Sequence, residues 1–281
     1  MKRWLRIVLI VMFSLCFIVS GISLVRYYWN AYQNKQQFDS LTQIMEQARP
    51  ASPQLPQQED TQEAETAATE NTTEPVSELV SVMDPDTGLP VQVLPEFAEL
   101  YALNSDIVGW IAIPDTNINY PVMQTKSRTD YYLYRDFYGK DSTHGCIYVR
   151  EACDVEAPSD NVVIYGHRMK DGSMFNNLLN YEKKSYYEAH KYIQFDTLQQ
   201  RHLYEVVCVF KTVATSAGFD FHLFVNAYDE ADYDDFIAQC KALALYDTGV
   251  SAEYGDKLIC LTTCEYTQDN GRMVIVAKRI S

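Results

Sequence analysis

The sequence offers little that would hold a metal ion or bind nucleic acid. Its seven cysteines include no CxxC pair of the kind that binds zinc, and their spacing is not that of a disulfide framework. Lysine and arginine number 23 against 38 aspartate and glutamate residues, which gives a formal net charge of −15. Because nucleic-acid binding depends on a basic surface, this balance argues against DNA or RNA as a partner.

Charged residues are absent from residues 7–25, an apolar run near the N-terminus. The run is close to the roughly 20 residues that cross a bilayer as a helix, and no small-residue cleavage site of a secretory signal follows it. Lys2, Arg3 and Arg6 precede it, and basic residues favour the cytoplasmic side. Residues 1–30 are therefore predicted to be a single-pass membrane anchor, with the N-terminus in the cytoplasm and the rest of the chain outside.

Lysine and arginine are also missing from residues 50–94, which are rich in glutamate, threonine, glutamine and proline. A segment of this composition buries too little apolar surface to order itself. Residues 31–94 are predicted to form a short juxtamembrane helix followed by an acidic, disordered stalk. The folded domain is predicted to span residues 95–281.

Short strand signals dominate this domain. They recur over residues 109–114, 118–123, 145–149, 161–165, 192–196, 203–211, 257–263 and 272–279. An opening helix over residues 95–103 and two helical inserts, 173–190 and 230–246, interrupt them. Roughly eight strands with few long helices predict a mainly β fold that closes into a barrel with helical inserts.

A cysteine and an arginine are placed to meet near the C-terminus. Cys264 ends one strand, and Arg272 begins the next after the loop 265–271. Pairing of these strands would set the side chains next to each other, so that a thiolate nucleophile has a guanidinium beside it to stabilise an oxyanion. His167 follows an apolar strand and Gly166, and its imidazole offers the base. A buried cysteine, a solvated strand-end arginine and a core histidine are the structural alternatives.

Cys146 is a second candidate nucleophile. Residues 142–146, Ser-Thr-His-Gly-Cys, are similar to the nucleophile motif of the L,D-transpeptidases, another class of cell-wall cysteine enzymes. That motif includes an upstream His-Gly pair and an arginine two residues after the cysteine. No histidine precedes His144, and Tyr148 stands where the arginine should be. Cys264 is therefore the preferred nucleophile.

Residues 95–281 resemble the sortases, the membrane-anchored transpeptidases of Gram-positive bacteria. The run 166–175 and the segment 245–250 are similar to class B members in particular, although Arg168 replaces a common asparagine and Thr262 a common serine. The residues that carry the resemblance are Tyr-Gly-His at 165–167, Leu-Thr-Thr-Cys at 261–264, Arg272, and the strands around 109–111 and 120–122.

The resemblance implies an eight-stranded sortase barrel in which His167, Cys264 and Arg272 are catalytic. Cys264 would form a thioacyl intermediate with the C-terminal sorting signal of a secreted protein, and an amine of a peptidoglycan precursor or a pilin would resolve it. This chemistry needs no metal or organic cofactor. The implied location is the cell membrane, with the catalytic domain extracellular. The candidate substrate contacts are Thr262, Thr263 and Glu265.

Two alternatives to this interpretation stay open at the level of sequence. One is an L,D-transpeptidase-like enzyme that uses Cys146. The other is a non-catalytic, stalked wall-binding domain, in which Cys264 would be an unreactive strand cysteine.

Overall fold

A computed structural model describes residues 2–49, 79–215 and 218–281 of the chain. Short 3-10 helices at Pro95–Phe97, Tyr131–Tyr134, Phe175–Glu182 and Phe221–Leu223 connect the longer elements. The α-helices are α1 (Lys2–Ala48), α2 (Ala98–Leu103), α3 (Lys184–Ala189) and α4 (Glu230–Ala242). The strands are β1 (Val80–Met83), β2 (Pro90–Val93), β3 (Ile107–Ala112), β4 (Asn119–Met123), β5 (Ile147–Val149), β6 (Asn161–Tyr165), β7 (Tyr192–Thr197), β8 (Leu203–Val213), β9 (Leu258–Glu265) and β10 (Gly271–Arg279).

Within these residues, eight strands close into a barrel in the order β10-β8-β7-β3-β4-β5-β6-β9. Closure leaves the sheet without free edges and encloses a hydrophobic core. β6 and β9 are parallel neighbours, whereas β9 and β10 form an antiparallel hairpin. The run 273–277 of β10 is fully buried, as its continuous apolar sequence indicates. The predicted mainly β barrel is confirmed.

The two predicted helical inserts are shorter than expected. A 3-10 helix at Phe175–Glu182 and the helix α3 replace the single helix 173–190, because Lys183 takes an extended conformation between them. α4 ends at Ala242 rather than at residue 246. The residues that follow α4 pair with β8 instead: Ala244 forms a β-bridge with Phe210, and the Leu245 N–H donates to the Val209 carbonyl at 2.8 Å.

The structure also differs from the predicted stalk at its C-terminal end. Residues 80–93 form the hairpin β1–β2, with Val80 opposite Val93. Its turn is held by Asp84, whose carboxylate accepts the Tyr101 hydroxyl at 2.6 Å and the Thr87 N–H at 2.8 Å. Acidic turn residues therefore order this segment instead of extending it. The rest of the predicted stalk, residues 50–78, lies outside the described residues.

The predicted anchor and juxtamembrane helix form one continuous helix, α1. Its N-terminal half is long and apolar enough to cross a membrane, with a mean hydropathy of 2.7 over its most apolar window. Its C-terminal half buries Phe38, Leu41 and Met45 against the barrel domain, at the spacing of one helix face. At its end Arg49 pairs with Asp196 and lies 3.9 Å from Glu96. The helix is therefore seated on the barrel.

Candidate active site

Cys264 lies where β9 leaves the hydrophobic core. All residues of β9 except Cys264 are buried, and Cys264 is partly exposed. β9 has β6 on one side and β10 on the other. Because neighbouring strands lie about 5 Å apart, side chains from three strands can meet around this thiol.

Arg272 is directly opposite Cys264 in the β9–β10 ladder. Directly opposed residues hold their Cβ atoms about 4.5–5.5 Å apart. The Arg272 Nη1 group donates to the Gly271 carbonyl at 3.0 Å and to the Asn270 carbonyl at 3.3 Å, which holds the guanidinium at the start of the strand. The strand pairing agrees with the hairpin predicted from the sequence.

The parallel pairing of β6 with β9 brings His167 to the same edge of the barrel. Tyr165 is level with Thr262, and the Gly166 N–H donates to the Thr262 carbonyl at 3.2 Å. His167 and Cys264 each follow this last pair of the ladder by two residues. His167, Cys264 and Arg272 all line one cleft of about 460 Å³. Imidazole, thiol and guanidinium thus converge from three adjacent strands.

The surroundings of His167 favour its neutral form. The ring is partly buried, and burial lowers the pKa of the imidazole below its ordinary value, with nearby His144 adding to the effect. The Nε2 atom lies 2.8 Å from the Leu133 carbonyl oxygen, so we assign the ring proton to Nε2, which donates to Leu133. Nδ1 then keeps its lone pair and is the nitrogen left to accept a proton.

Acid should destabilise the fold through His167. Its folded pKa lies below the unfolded value of about 6.5, so between the two the unfolded chain binds more protons and the free energy of unfolding decreases as the pH falls. We expect His167→Gln to lose less stability than the unmodified chain between about pH 7.5 and about pH 5.5 in urea unfolding of the detergent-solubilised protein. An equal loss in both proteins would contradict this assignment. His202 and His222, whose pKa values burial also lowers, should retain part of the effect.

Gly166 sets the path of the chain into His167. A Cβ atom at this position would lie 2.5 Å from Ile147 Cδ1 and 2.6 Å from Phe175 Cγ. A larger residue must therefore displace the Phe175 ring or shift the backbone that leads into His167. We expect Gly166→Ala to lower kcat/KM for peptide cleavage by about tenfold or more, because small displacements of a catalytic group are costly. Gly21→Ala is the matched control, since a Cβ on Gly21 would meet nothing within 4 Å and should leave the kinetics unchanged. Equal kinetics in both variants would show that this contact does not position His167.

The three predicted substrate contacts have different positions. Thr262 and Thr263 line the cleft, although their Oγ1 atoms are buried and have no hydrogen-bond partner among the described residues. Glu265, the last residue of β9, is buried and does not line the cleft. Its carboxylate accepts the Thr267 hydroxyl at 2.6 Å and lies 3.8 Å from Lys211 Nζ. Glu265 therefore orders the loop after β9.

Much of the cleft wall comes from loops that were not predicted from the sequence. Arg150 donates to the His222 carbonyl and joins two sides of the wall. The ring of Tyr134 is exposed and lies 5.5 Å from that of His167. Residues 219–222 of the aromatic stretch 219–224 form part of this wall. Other residues that line the wall are Thr129, Asp130, Leu133 and Tyr148.

The remaining cysteines are placed for packing. Cys146 is 1% exposed and does not line the cleft, and burial raises the pKa of its thiol well above the ordinary value. The alternative nucleophile is therefore unsuited to attack a substrate. Cys208 and Cys240 are buried free thiols. In the part of the chain that the structure describes, no cluster of three or more histidine, cysteine or acidic residues could hold a metal ion.

Comparison with known proteins agrees with this arrangement. A family model described as the sortase domain matches residues 111–280. Sortase B of Staphylococcus aureus is 34% identical over 190 residues, which cover 67% of this chain and 76% of that protein. Sortase B of Listeria monocytogenes is 33% identical over 198 residues, which cover 69% and 78% respectively.

Solved structures give the same result over more of the chain. A Staphylococcus aureus sortase B–substrate complex superposes with a TM-score of 0.69 at 26% identity, covering 90% of this chain and 99% of that one. Sortase B from Bacillus anthracis in complex with AAEK1 gives a TM-score of 0.67 at 27% identity, covering 90% and 99%.

A barrel that presents a partly exposed thiol opposite an arginine, in one cleft with a histidine, defines a cysteine enzyme of the acyl-transfer class. The chain belongs to the sortase family, and it is a cysteine transpeptidase whose similarity is to the class B members.

Proposed function

We propose that this transpeptidase cleaves the C-terminal sorting signal of secreted proteins and transfers the acyl group to an amine of a cell-wall precursor. One observation carries the proposal: His167, Cys264 and Arg272 reach the same cleft from three adjacent strands. Sorting-signal substrates are consistent with the similarity to a sortase B crystallised with a substrate.

The first half of the reaction uses the thiol and the imidazole. Neutral His167 accepts the Cys264 proton at Nδ1 as the sulfur attacks the carbonyl carbon of a threonine in the signal. The carbonyl oxygen becomes an oxyanion, which the Arg272 guanidinium stabilises. His167 then gives the proton to the departing amine, the C–N bond breaks, and a thioacyl enzyme remains.

The second half reverses these roles. The acceptor amine attacks the thioacyl carbon, and His167 takes the proton that the amine loses. The C–S bond breaks, the proton returns to Cys264, and a new peptide bond leaves the enzyme as found. Thr262 and Thr263 form part of the wall against which the signal lies. A pilin amine would resolve the thioacyl intermediate in the same way as a wall-precursor amine, because both are nucleophilic amines.

The helix α1 supplies the proposed location. Its apolar run with basic residues on the N-terminal side favours a single-pass anchor whose N-terminus is cytoplasmic and whose barrel is extracellular. Secreted proteins and wall precursors are available on that side.

A direct test incubates the full chain, in detergent or bilayers, with fluorogenic sorting-signal peptides and a small nucleophilic amine. We expect cleavage of at least one peptide and a product that carries the amine. Absence of both, across a panel that covers the signals of class B relatives, would reject the proposal.

Replacing Arg272 by lysine should lower kcat/KM strongly, by about tenfold to a hundredfold. The guanidinium is planar and fixed by two backbone carbonyls, whereas an ammonium is a mobile point charge that cannot reproduce its fork. The measurement is steady-state peptide cleavage by the full chain. Arg168→Lys is the matched control, because Arg168 stacks over the exposed ring of Tyr266, 4.8 Å from its centroid, and does not line the cleft. Equal rates for the two variants would remove Arg272 from the mechanism.

A further inference from the structure

The helix α1 continues without a break from its apolar run into its contacts with the barrel. Residues 7–25 are exposed along the helix, and by Asn34 the same helix has a buried side chain. Phe38 packs on Tyr120 with ring centroids 5.1 Å apart. Any anchor that α1 forms is therefore coupled directly to the barrel.

The part of α1 nearest the apolar run contacts the end of the barrel that holds the cleft. Tyr120 is at the start of β4. Because β4 runs parallel to β5 and β5 runs antiparallel to β6, the start of β4 and the last residues of β6 lie at the same end of the barrel. Gln37 Nε2 donates to Asp136 Oδ2 at 3.2 Å, in the loop that follows Tyr134. At the other end of the helix, Arg49 pairs with Asp196 near the end of β7.

Loops beside the active site also approach the first turns after the apolar run. A cleft of about 530 Å³ is lined by Tyr28 and Tyr32 of α1 together with Asp171 and Ser173, which follow His167 in the chain. A second cleft, of about 780 Å³, is lined by Asn30, Tyr138, His144 and their neighbours. The loops that support His167 are thus adjacent to the membrane end of the helix.

The distance from the apolar run to these loops is short. At about 1.5 Å per residue, Asn30 is roughly 6 Å beyond Arg26 along the helix axis. A bilayer has a hydrocarbon core of about 30 Å within a total of about 40–45 Å, which leaves roughly 5–8 Å of headgroups on each side. In the anchor proposed above, the loops that meet Asn30 therefore fall at the level of the headgroups.

The exposed side chains at this level suit a lipid surface. On α1, Tyr28, Trp29 and Tyr32 are each more than half exposed. On the barrel loop, Tyr138 and Lys140 are exposed too. Tyrosine and tryptophan concentrate at membrane interfaces, and lysine is attracted to anionic headgroups.

We propose that the cleft end of the barrel faces the bilayer, with the loop 134–140 in the headgroup layer and α1 as the rigid support that fixes its height. The partner surface is an anionic lipid bilayer. This proposal rests on the proposed anchor. It also means that residues 51–78 do not set the distance between membrane and cleft, because α1 has met the barrel before they begin.

Depth measurement on the full chain in anionic nanodiscs tests the orientation. Tyr138 is replaced by a coumarin-bearing amino acid, and lipids with nitroxide headgroups serve as the quencher. The matched control carries the same label at Tyr228, which is 92% exposed and lies beside the start of β6, at the opposite end of the barrel. We expect quenching several-fold stronger at position 138 than at position 228. Equal quenching, or stronger quenching at 228, would overturn the proposal.

An insertion distinguishes the rigid support from a loose tether. Seven alanines between Arg26 and Tyr27 would lengthen α1 by about 10 Å while keeping nearly the same helix face. They should remove most of the quenching at position 138, whereas the same seven residues placed within 51–78 should leave it unchanged. Loss of quenching with both insertions, or with neither, would contradict the role of α1 as a rigid support.

Peptide cleavage by the same samples separates this proposal from the proposed function. Cleavage without quenching at position 138 rejects the orientation and leaves the transpeptidase mechanism standing. Quenching at position 138 in a chain that cleaves no sorting-signal peptide supports the orientation and rejects the proposed substrate.

Discussion

Cys264→Ala should abolish cleavage and transfer, lowering kcat/KM by about 10⁴-fold or more. No other described cysteine reaches the cleft with Arg272, so the thioacyl intermediate would have no atom on which to form. The measurement is release of a fluorogenic sorting-signal peptide by the full chain. Circular dichroism should show an unchanged fold, because alanine is smaller and the position is already partly exposed.

The matched control for this variant is Cys146→Ala. Cys146 is buried, and the raised pKa of its thiol opposes formation of the thiolate. Its loss should therefore leave most of the activity, with at most a decrease in stability from the small cavity that it leaves. Full activity in Cys264→Ala together with inactivity in Cys146→Ala would transfer the mechanism to the other cysteine.

A thiol-directed probe separates the enzyme from a stalked binding domain. At neutral pH it should label Cys264 first among the cysteines of the barrel, since the others are buried. The rate of peptide cleavage should decrease in proportion to the fraction of Cys264 that is labelled. Unchanged cleavage after complete labelling of Cys264 would contradict its role.

Local patterns were sufficient to predict the barrel strands and one half of the site. β9 and β10 are apolar runs close in sequence, so their hairpin could be inferred, and with it the meeting of Cys264 and Arg272. His167 is far from both in sequence. Its approach depends on the parallel pairing of β6 with β9, a long-range contact that no local periodicity encodes. Its place after an apolar strand and Gly166 made it a candidate base, and the family resemblance then singled it out.

The errors have physical causes of the same kind. The hairpin β1–β2 was missed because its acidic turn residues look disordering until Tyr101 is present to donate to Asp84. The seating of α1 was missed because Phe38, Leu41 and Met45 are too sparse to indicate a packed face without a partner surface. The substrate contact predicted for Glu265 stays a prediction, although its side chain does not line the cleft.

His167→Gln should lower kcat/KM by about 10²–10⁴-fold. Glutamine can still donate an N–H to the Leu133 carbonyl, so the loop can keep its conformation, but an amide cannot take the Cys264 proton and pass it to the leaving amine. The loss therefore measures proton transfer more than structure.

The pH profile identifies this role. Because burial lowers the pKa of His167, the unmodified enzyme should keep its activity down to a pH below about 6.5 and lose it as the imidazole becomes protonated. In His167→Gln that acidic limb should disappear from the residual activity. His222→Gln is the matched control, since His222 lines the same cleft but comes from a 3-10 helix and not from the end of β6 beside β9. It should lose less activity and retain the limb. An acidic limb that survives in His167→Gln and vanishes in His222→Gln would assign the proton to the other histidine, because the group whose titration controls the rate is the one whose removal abolishes the limb.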